Sequence, residues 1–142
     1  METMTEVFGE VISTYGRRQA IEDGILVDLM QEETVKMVRE AGFIMPVAMT
    51  AAAFHDYVWP IEDVMQERWL KERCQDLQGR LWDVLWMLKL ASKRGGSELY
   101  FRLSVVCANV KPRGRRTVTL KAVCGPGDDG ELVITIMLPE ED

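Results

Sequence analysis

The stretch that most limits the fold lies near the C-terminus, where Gly125-Pro126-Gly127-Asp128-Asp129-Gly130 separates a β-rich run ending at Val123-Cys124 from another beginning at Leu132. Glycine reaches φ values closed to other residues, proline presets the first dihedral of a turn, and aspartate bonds to its own turn amides, so the hexapeptide reads as a tight reversal. In the run that follows, Leu132, Ile134, Ile136 and Leu138 alternate with Val133, Thr135 and Met137, which is the period of a strand with one apolar and one mixed face. Two further strands are predicted upstream, over Glu98 to Cys107 and Thr117 to Cys124. The links 108–116 and 125–130 are short enough for antiparallel neighbours.

Ahead of Gly95-Gly96-Ser97 the period changes. Leu70, Cys74, Leu77, Leu81, Val84, Leu88 and Ala91 recur at alternating spacings of four and three, so the pattern predicts a helix over 61–94 with a continuous apolar seam. Gly79 interrupts it. A glycine within a helix costs about 1 kcal/mol relative to alanine, so the helix is expected to bend or divide through Gln78-Gly79. A hairpin at Gly79 with Leu81 to Leu85 extended is the alternative.

The first sixty residues read as short elements. Val7 to Ile12 is an apolar opening segment, Ser13 or Thr14 caps a short helix through Glu22, and Asp23-Gly24 stops it. Ile25 to Leu29 has strand composition, and a second short helix from Glu32 to Ala41 is closed by Gly42. Phe43 to Met49 reads as extended, with Pro46 pointing to an edge strand or an irregular segment. Thr50 caps the run Ala51 to Val58, and Pro60 ends it. The class is α+β: an antiparallel three-stranded C-terminal meander packed on a long helix, with short N-terminal helices and one or two short extra strands. One domain is expected over 1–142, organised as 1–60, 61–94 and 97–139.

A chain of 142 residues that is 47% hydrophobic can bury a single core of ordinary size. No apolar run approaches the roughly 18 residues of a membrane span, and Met1-Glu2-Thr3-Met4-Thr5-Glu6 lacks the order of a signal peptide. A cytoplasmic protein with no membrane contact is expected. Cys74, Cys107 and Cys124 are odd in number and form no Cys-x-x-Cys, which argues against a disulfide framework and a zinc site. Cys107 and Cys124 fall in strands and read as small buried hydrophobes.

The net charge of −6 conceals a division along the chain. Residues 1–67 hold 13 acidic and 4 basic side chains, residues 68–121 hold 4 acidic and 13 basic, and residues 122–142 hold 6 acidic and none basic. Such segregation bears on partners more than on fold. An acidic total disfavours a nucleic-acid partner without removing a local basic patch.

Four motifs invite a functional reading. In Lys111-Pro112-Arg113-Gly114-Arg115-Arg116, the cations Lys111, Arg113, Arg115 and Arg116 are candidates for binding an anion or a partner, against the plain reading of a solvated hairpin tip. Trp82 and Trp86 stand four apart on one helical face, offset from the seam, and form either a buried second side or an aromatic partner surface. His55 precedes Asp56, but neighbours on a helix point about 100° apart and no nucleophile-elbow pattern accompanies them. The turn 125–130 lacks both the spaced oxygen ligands of a calcium loop and the lysine of a phosphate loop. Glu62, Asp63, Glu67, Glu72 and Asp76 read as a solvated helix face, and Glu140-Glu141-Asp142 as a solvated tail. No catalytic residue, metal site or cofactor is assigned, and binding is favoured over catalysis.

The segments Ile12 to Tyr15, Gln19 to Asp28, Pro46 to Ala53, Gly79 to Met87 and Gly125 to Met137 occur in the order found in one family, which the chain resembles over nearly its whole length. It is an uncharacterised family of small proteins from bacterial plasmids, conjugative elements and prophages, carrying a domain-of-unknown-function label. The Gly-Arg-Leu-Trp-Asp-Val-Leu-Trp-Met run and the Gly-Pro-Gly-Asp-Asp-Gly turn carry the resemblance, and the charged stretch Gln66 to Asp76 departs from it. The resemblance transfers no site residue. It implies a genetic setting, and with the charge division it leads to the expectation of a non-catalytic accessory protein that binds a host protein or ribonucleoprotein complex stoichiometrically, acidic residues of the first 67 positions or of the tail mimicking phosphate to a basic partner. An inhibitor of a defence system, such as an anti-CRISPR protein, fits that description. The alternative is a protein that sequesters a small ligand or nucleotide with the 111–116 loop, and an enzyme built on His55 and Asp56 is a third reading.

Overall fold

The computed structural model describes residues 16–142. Among these residues five strands, β1 (Leu26–Asp28), β2 (Val47–Thr50), β3 (Glu98–Cys107), β4 (Gly114–Pro126) and β5 (Leu132–Met137), form one mixed sheet in the order β1-β2-β5-β4-β3. Antiparallel pairs join β3 to β4 and β4 to β5, and β1 to β2, while β2 runs parallel to β5. The protein is therefore α+β with a five-stranded mixed sheet. A sheet of three strands with outlying extras is too small a description, because β2 is an interior strand with every residue buried. Pro46 does not force it to an edge: the proline precedes the strand, and its carbonyl accepts the amide of Ile134 in β5.

Among the described residues there are five helices, α1 (Arg17–Glu22), α2 (Val35–Glu40), α3 (Ala51–Tyr57), α4 (Val64–Lys71) and α5 (Leu77–Ala91), the last continued by a short 3₁₀ turn over Ser92–Arg94. The candidate caps of α1 at Ser13 and Thr14, and the Val7 to Ile12 segment, lie outside the described residues. Thr50 does cap α3, its hydroxyl accepting the Ala53 amide at 3.2 Å.

The helix expected over 61–94 is two helices, and the division is not at Gly79. After α4 the amides of Cys74 and Gln75 bond to the carbonyls of Lys71 and Leu70, a closing motif that needs a residue in the left-handed region. Cys74 occupies it with φ 59°. Asp76 then opens α5 by accepting the Gly79 amide at 2.6 Å, which sets Gly79 in the first turn, where it interrupts nothing. The extended alternative for Leu81 to Leu85 is likewise replaced by helix.

One face of the sheet carries the core. Val47, Met49, Phe101, Leu103, Val105, Leu120, Ile134 and Ile136 meet Phe54, Leu81, Val84, Leu85 and Leu88 from α3 and α5. The opposite face is closed in part by the C-terminus. Glu141 accepts the Thr50 hydroxyl at 2.7 Å and the Leu138 amide at 2.8 Å through one carboxylate oxygen, and its carbonyl takes the ammonium of buried Lys121. The tail is thus pinned to the sheet at Glu141 instead of lying free in water.

Candidate functional site: a cationic edge bearing tryptophan

Strand β3 forms one edge of the sheet, and α5 packs beside it. The sheet order carries the charge division into space: β1 and β2, from the acidic first 67 residues, lie at one edge, and β3 and most of β4, from the basic 68–121 segment, lie at the other. Among the described residues, the one ion pair formed by a cation of that basic segment joins Lys71 to Glu67 at 2.8 Å. Most of these charges therefore face solvent or carbonyl groups without a carboxylate partner.

Arg80 fixes how α5 meets this edge. Only 5% exposed, it donates to the carbonyls of Tyr57 at 3.0 Å, Val106 at 2.8 Å and Val58, and to the Gln75 side chain at 3.1 Å. Burial holds its pKa down to about 10, while Cys107 and Asp83 act in the other direction. A planar fork with five donors suits this junction of three chain segments.

Along the outer side of α5, Trp82 and Trp86 stack with ring centroids 5.8 Å apart and planes 13° from parallel. Trp82 is half-buried against the core, and Trp86 is 44% exposed. Exposed Leu90, one turn further on, shares a cleft with Tyr100 of β3, Arg94 and Arg102 at the sheet edge. Even-numbered β3 residues Glu98, Tyr100, Arg102 and Ser104 all point away from the core, as the alternation requires.

The four loop cations do not gather at one point. Val105 pairs with Arg116 and Val106 with Arg115, so these two arginines leave opposite faces of the sheet. Arg115 is exposed and donates to the Ser104 hydroxyl at 3.2 Å. Arg116 is half-buried towards Tyr57, donates to the Lys111 carbonyl at 3.1 Å, and keeps its Nε without a partner. Lys111 itself is exposed. Arg113 lies 5.6 Å from the centre of the Trp69 ring, on which Arg73 already stacks at 3.8 Å. Trp69 is half-buried against a small second cluster of Leu70, Val106 and Ala108.

Asp83 shares the cleft between α5 and the hairpin with Arg115 and Arg80. Desolvation raises its pKa, and the two arginines oppose that shift. This cleft is mixed in charge, so the cationic character belongs to the rim and not to a phosphate-sized hole.

His55 and Asp56 approach at 3.5 Å between Nδ1 and Oδ1. Burial raises the Asp56 pKa, and the hydrogen bond from His55 opposes it. The His55 carbonyl accepts the side-chain amide of Asn109, which ties α3 to the loop after β3. No three His, Cys, Asp or Glu side chains gather as a metal requires among the described residues, and no helix there is long and apolar enough to cross a membrane.

A family model matches residues 4–142, which is almost the entire sequence. The chain belongs to a family of unknown function, DUF6573. No curated protein and no solved structure matches it. The membership fixes a lineage and leaves activity open.

Sequence reasoning singled out Trp82, Trp86 and the loop cations but missed Arg80, Leu90, Arg94, Tyr100 and Arg102. Two signals were available for part of this group. Leu90 stands four residues after Trp86, and Tyr100 and Arg102 occupy the polar phase of the β3 alternation.

Proposed function

We propose that this DUF6573 protein acts by stoichiometric binding and that its contact surface is the α5, β3 and β4 edge. The observation that carries the reading is the exposure of Trp86 and Leu90 on α5 and of Tyr100 on β3, with Arg94 and Arg102 lining the cleft beside Leu90 and Tyr100 and with Arg113 and Arg115 exposed on the β3–β4 hairpin, cations with no carboxylate within 4 Å among the described residues. Tryptophan, tyrosine and arginine supply most of the binding energy in macromolecular interfaces, because they bury a large area and still make directional bonds. A partner that presents phosphates or carboxylates beside apolar surface complements this edge, and a ribonucleoprotein does so. The setting inferred for the family, plasmids and prophages, makes the partner a host defence complex, with the protein as its inhibitor in the manner of an anti-CRISPR protein.

Nucleotide sequestration by the 111–116 loop is the lesser reading, since Arg115 and Arg116 diverge and the Trp69 ring is already occupied by Arg73. Affinity capture from the native host, followed by mass spectrometry, tests the first reading: a partner complex recovered at one-to-one stoichiometry is expected. A thermal-shift series with nucleotides separates the second, because a ligand at 100 times its Kd stabilises by about 2.7 kcal/mol. A nucleotide that produces such a shift, with no macromolecule captured, would reverse the ranking.

A further inference from the structure

The core opens to solvent between the α2–β2 turn and the end of α5, in a cavity of about 320 Å³. Phe43, Met45, Leu88, Leu99 and Ile134 form its apolar wall, Cys124 also lines it, and Ile44 stands at the lip with 83% of its surface exposed. A volume of roughly 300 Å³ with apolar walls and few polar groups is that of a small-molecule site.

Lys89 supplies the polar group. Its ammonium donates to the Gly42 carbonyl at 3.1 Å and lies 5.4 Å from the centre of the Phe43 ring. No carboxylate comes within 4 Å of it among the described residues. Gly42 has φ +101°, and a Cβ there would stand 3.1 Å from Lys89 Cε, so glycine both closes α2 and lets the lysine lie across the mouth. One carbonyl satisfies one of the three ammonium donors. The rest are available to a ligand, beside the Ser92 and Ser97 residues of the rim.

We propose that this cavity binds a small apolar monocarboxylate, with its hydrocarbon part against Phe43, Leu88, Leu99 and Ile134 and its carboxylate on Lys89. A single cation over an otherwise apolar hole matches one negative charge. A phosphate dianion would ask for more donors than the rim holds. The site is separate from the cationic edge, and either assignment stands if the other fails.

Cys124 makes the proposal measurable, because the other thiols are exposed Cys74, removable as Cys74→Ser, and fully buried Cys107. In that background, alkylation of Cys124 by N-ethylmaleimide is followed by mass spectrometry with octanoate, 1-octanol or octylamine present. Octanoate at nine times its Kd is expected to slow the reaction about tenfold, by occupancy alone. The alcohol should bind at least about tenfold more weakly and the amine not measurably, and Lys89→Met should remove the preference of acid over alcohol. The melting temperature supplies a second readout, with a rise in octanoate expected for Lys89→Arg and the parent but not for Lys89→Met. Octanoate that neither protects the thiol nor raises the melting temperature overturns the proposal, as does equal protection of the Lys89→Met variant.

Discussion

The Asp128 carboxylate accepts the backbone amide of Arg17 at 2.7 Å, across 111 positions of sequence, and that of Arg18 at 2.9 Å. The glycine-rich turn after β4 therefore caps α1. It does not use Asp128 on its own amides: Glu131 bonds the Asp129 amide instead, and the carbonyls of Glu131 and Gly127 take the amides of Gly127 and Gly130. The approach is so close that a Cβ at Gly16 would collide with the carboxylate. Arg17 completes the latch by donating to Thr135 and to the Ile134 carbonyl.

The latch predicts a pH dependence. Hydrogen bonds from the Arg18 and Arg17 amides hold the Asp128 pKa below the ordinary carboxylate value. A depressed folded pKa contributes stability above the unfolded pKa of about 3.9, and that contribution is lost as the pH falls through the folded value. Asp128→Asn should lower the melting temperature at pH 7, and the gap from wild type should close as melts are recorded at progressively lower pH below about 4. A constant gap would show that the charge on Asp128 is not what matters.

Cys74 sits where glycine belongs. Gly24 and Gly42 end α1 and α2 with the same bond pattern, each at positive φ. A side chain in that region costs about 1–2 kcal/mol. Cys74→Gly should accordingly stabilise the protein by about 1 kcal/mol, a rise of about 3 °C in a calorimetric melt. No change would mean that the exposed turn relaxes away from the left-handed conformation in solution.

Arg80 is the buried link between α5, the end of α3 and β3. Arg80→Met should cost about 3 kcal/mol or more, because the carbonyls of Tyr57, Val58 and Val106 lose their donor while remaining enclosed. Arg80→Lys should recover only part of the loss, since one ammonium cannot span three acceptors in the plane of a guanidinium. Urea unfolding of both variants checks this order, and wild-type stability in the lysine variant would contradict it.

Local signals were legible because local physics produces them. Gly24 and Gly42 closed helices, Thr50 capped one, and the strand predicted over Glu98 to Cys107 became β3 with the same limits. The break before α5 was hidden because cysteine has no preference for the left-handed turn it adopts, while the more conspicuous Gly79 needs no special backbone there. The interior position of β2 depends on parallel pairing with β5, more than eighty residues later, which no local pattern encodes. Arg80 was obscured in the same way: on a helix, a charged residue beside the apolar seam reads as solvated until its distant carbonyl acceptors are known. Trp82 and Trp86 were legible as a face, but not which of them is exposed: Trp82 packs against the core and Trp86 faces solvent.

The proposed function has the basic edge, and not the net charge, select the partner. Its most direct test captures host complexes on wild type, on Arg113→Glu with Arg115→Glu at the candidate edge, and on Lys36→Glu with Arg39→Glu on exposed α2, which changes the net charge equally. All four side chains are exposed, so melting temperatures should agree closely. The edge variant is expected to lose the partner while the α2 variant retains it at wild-type stoichiometry. Equal retention by both variants, or equal loss, would contradict it.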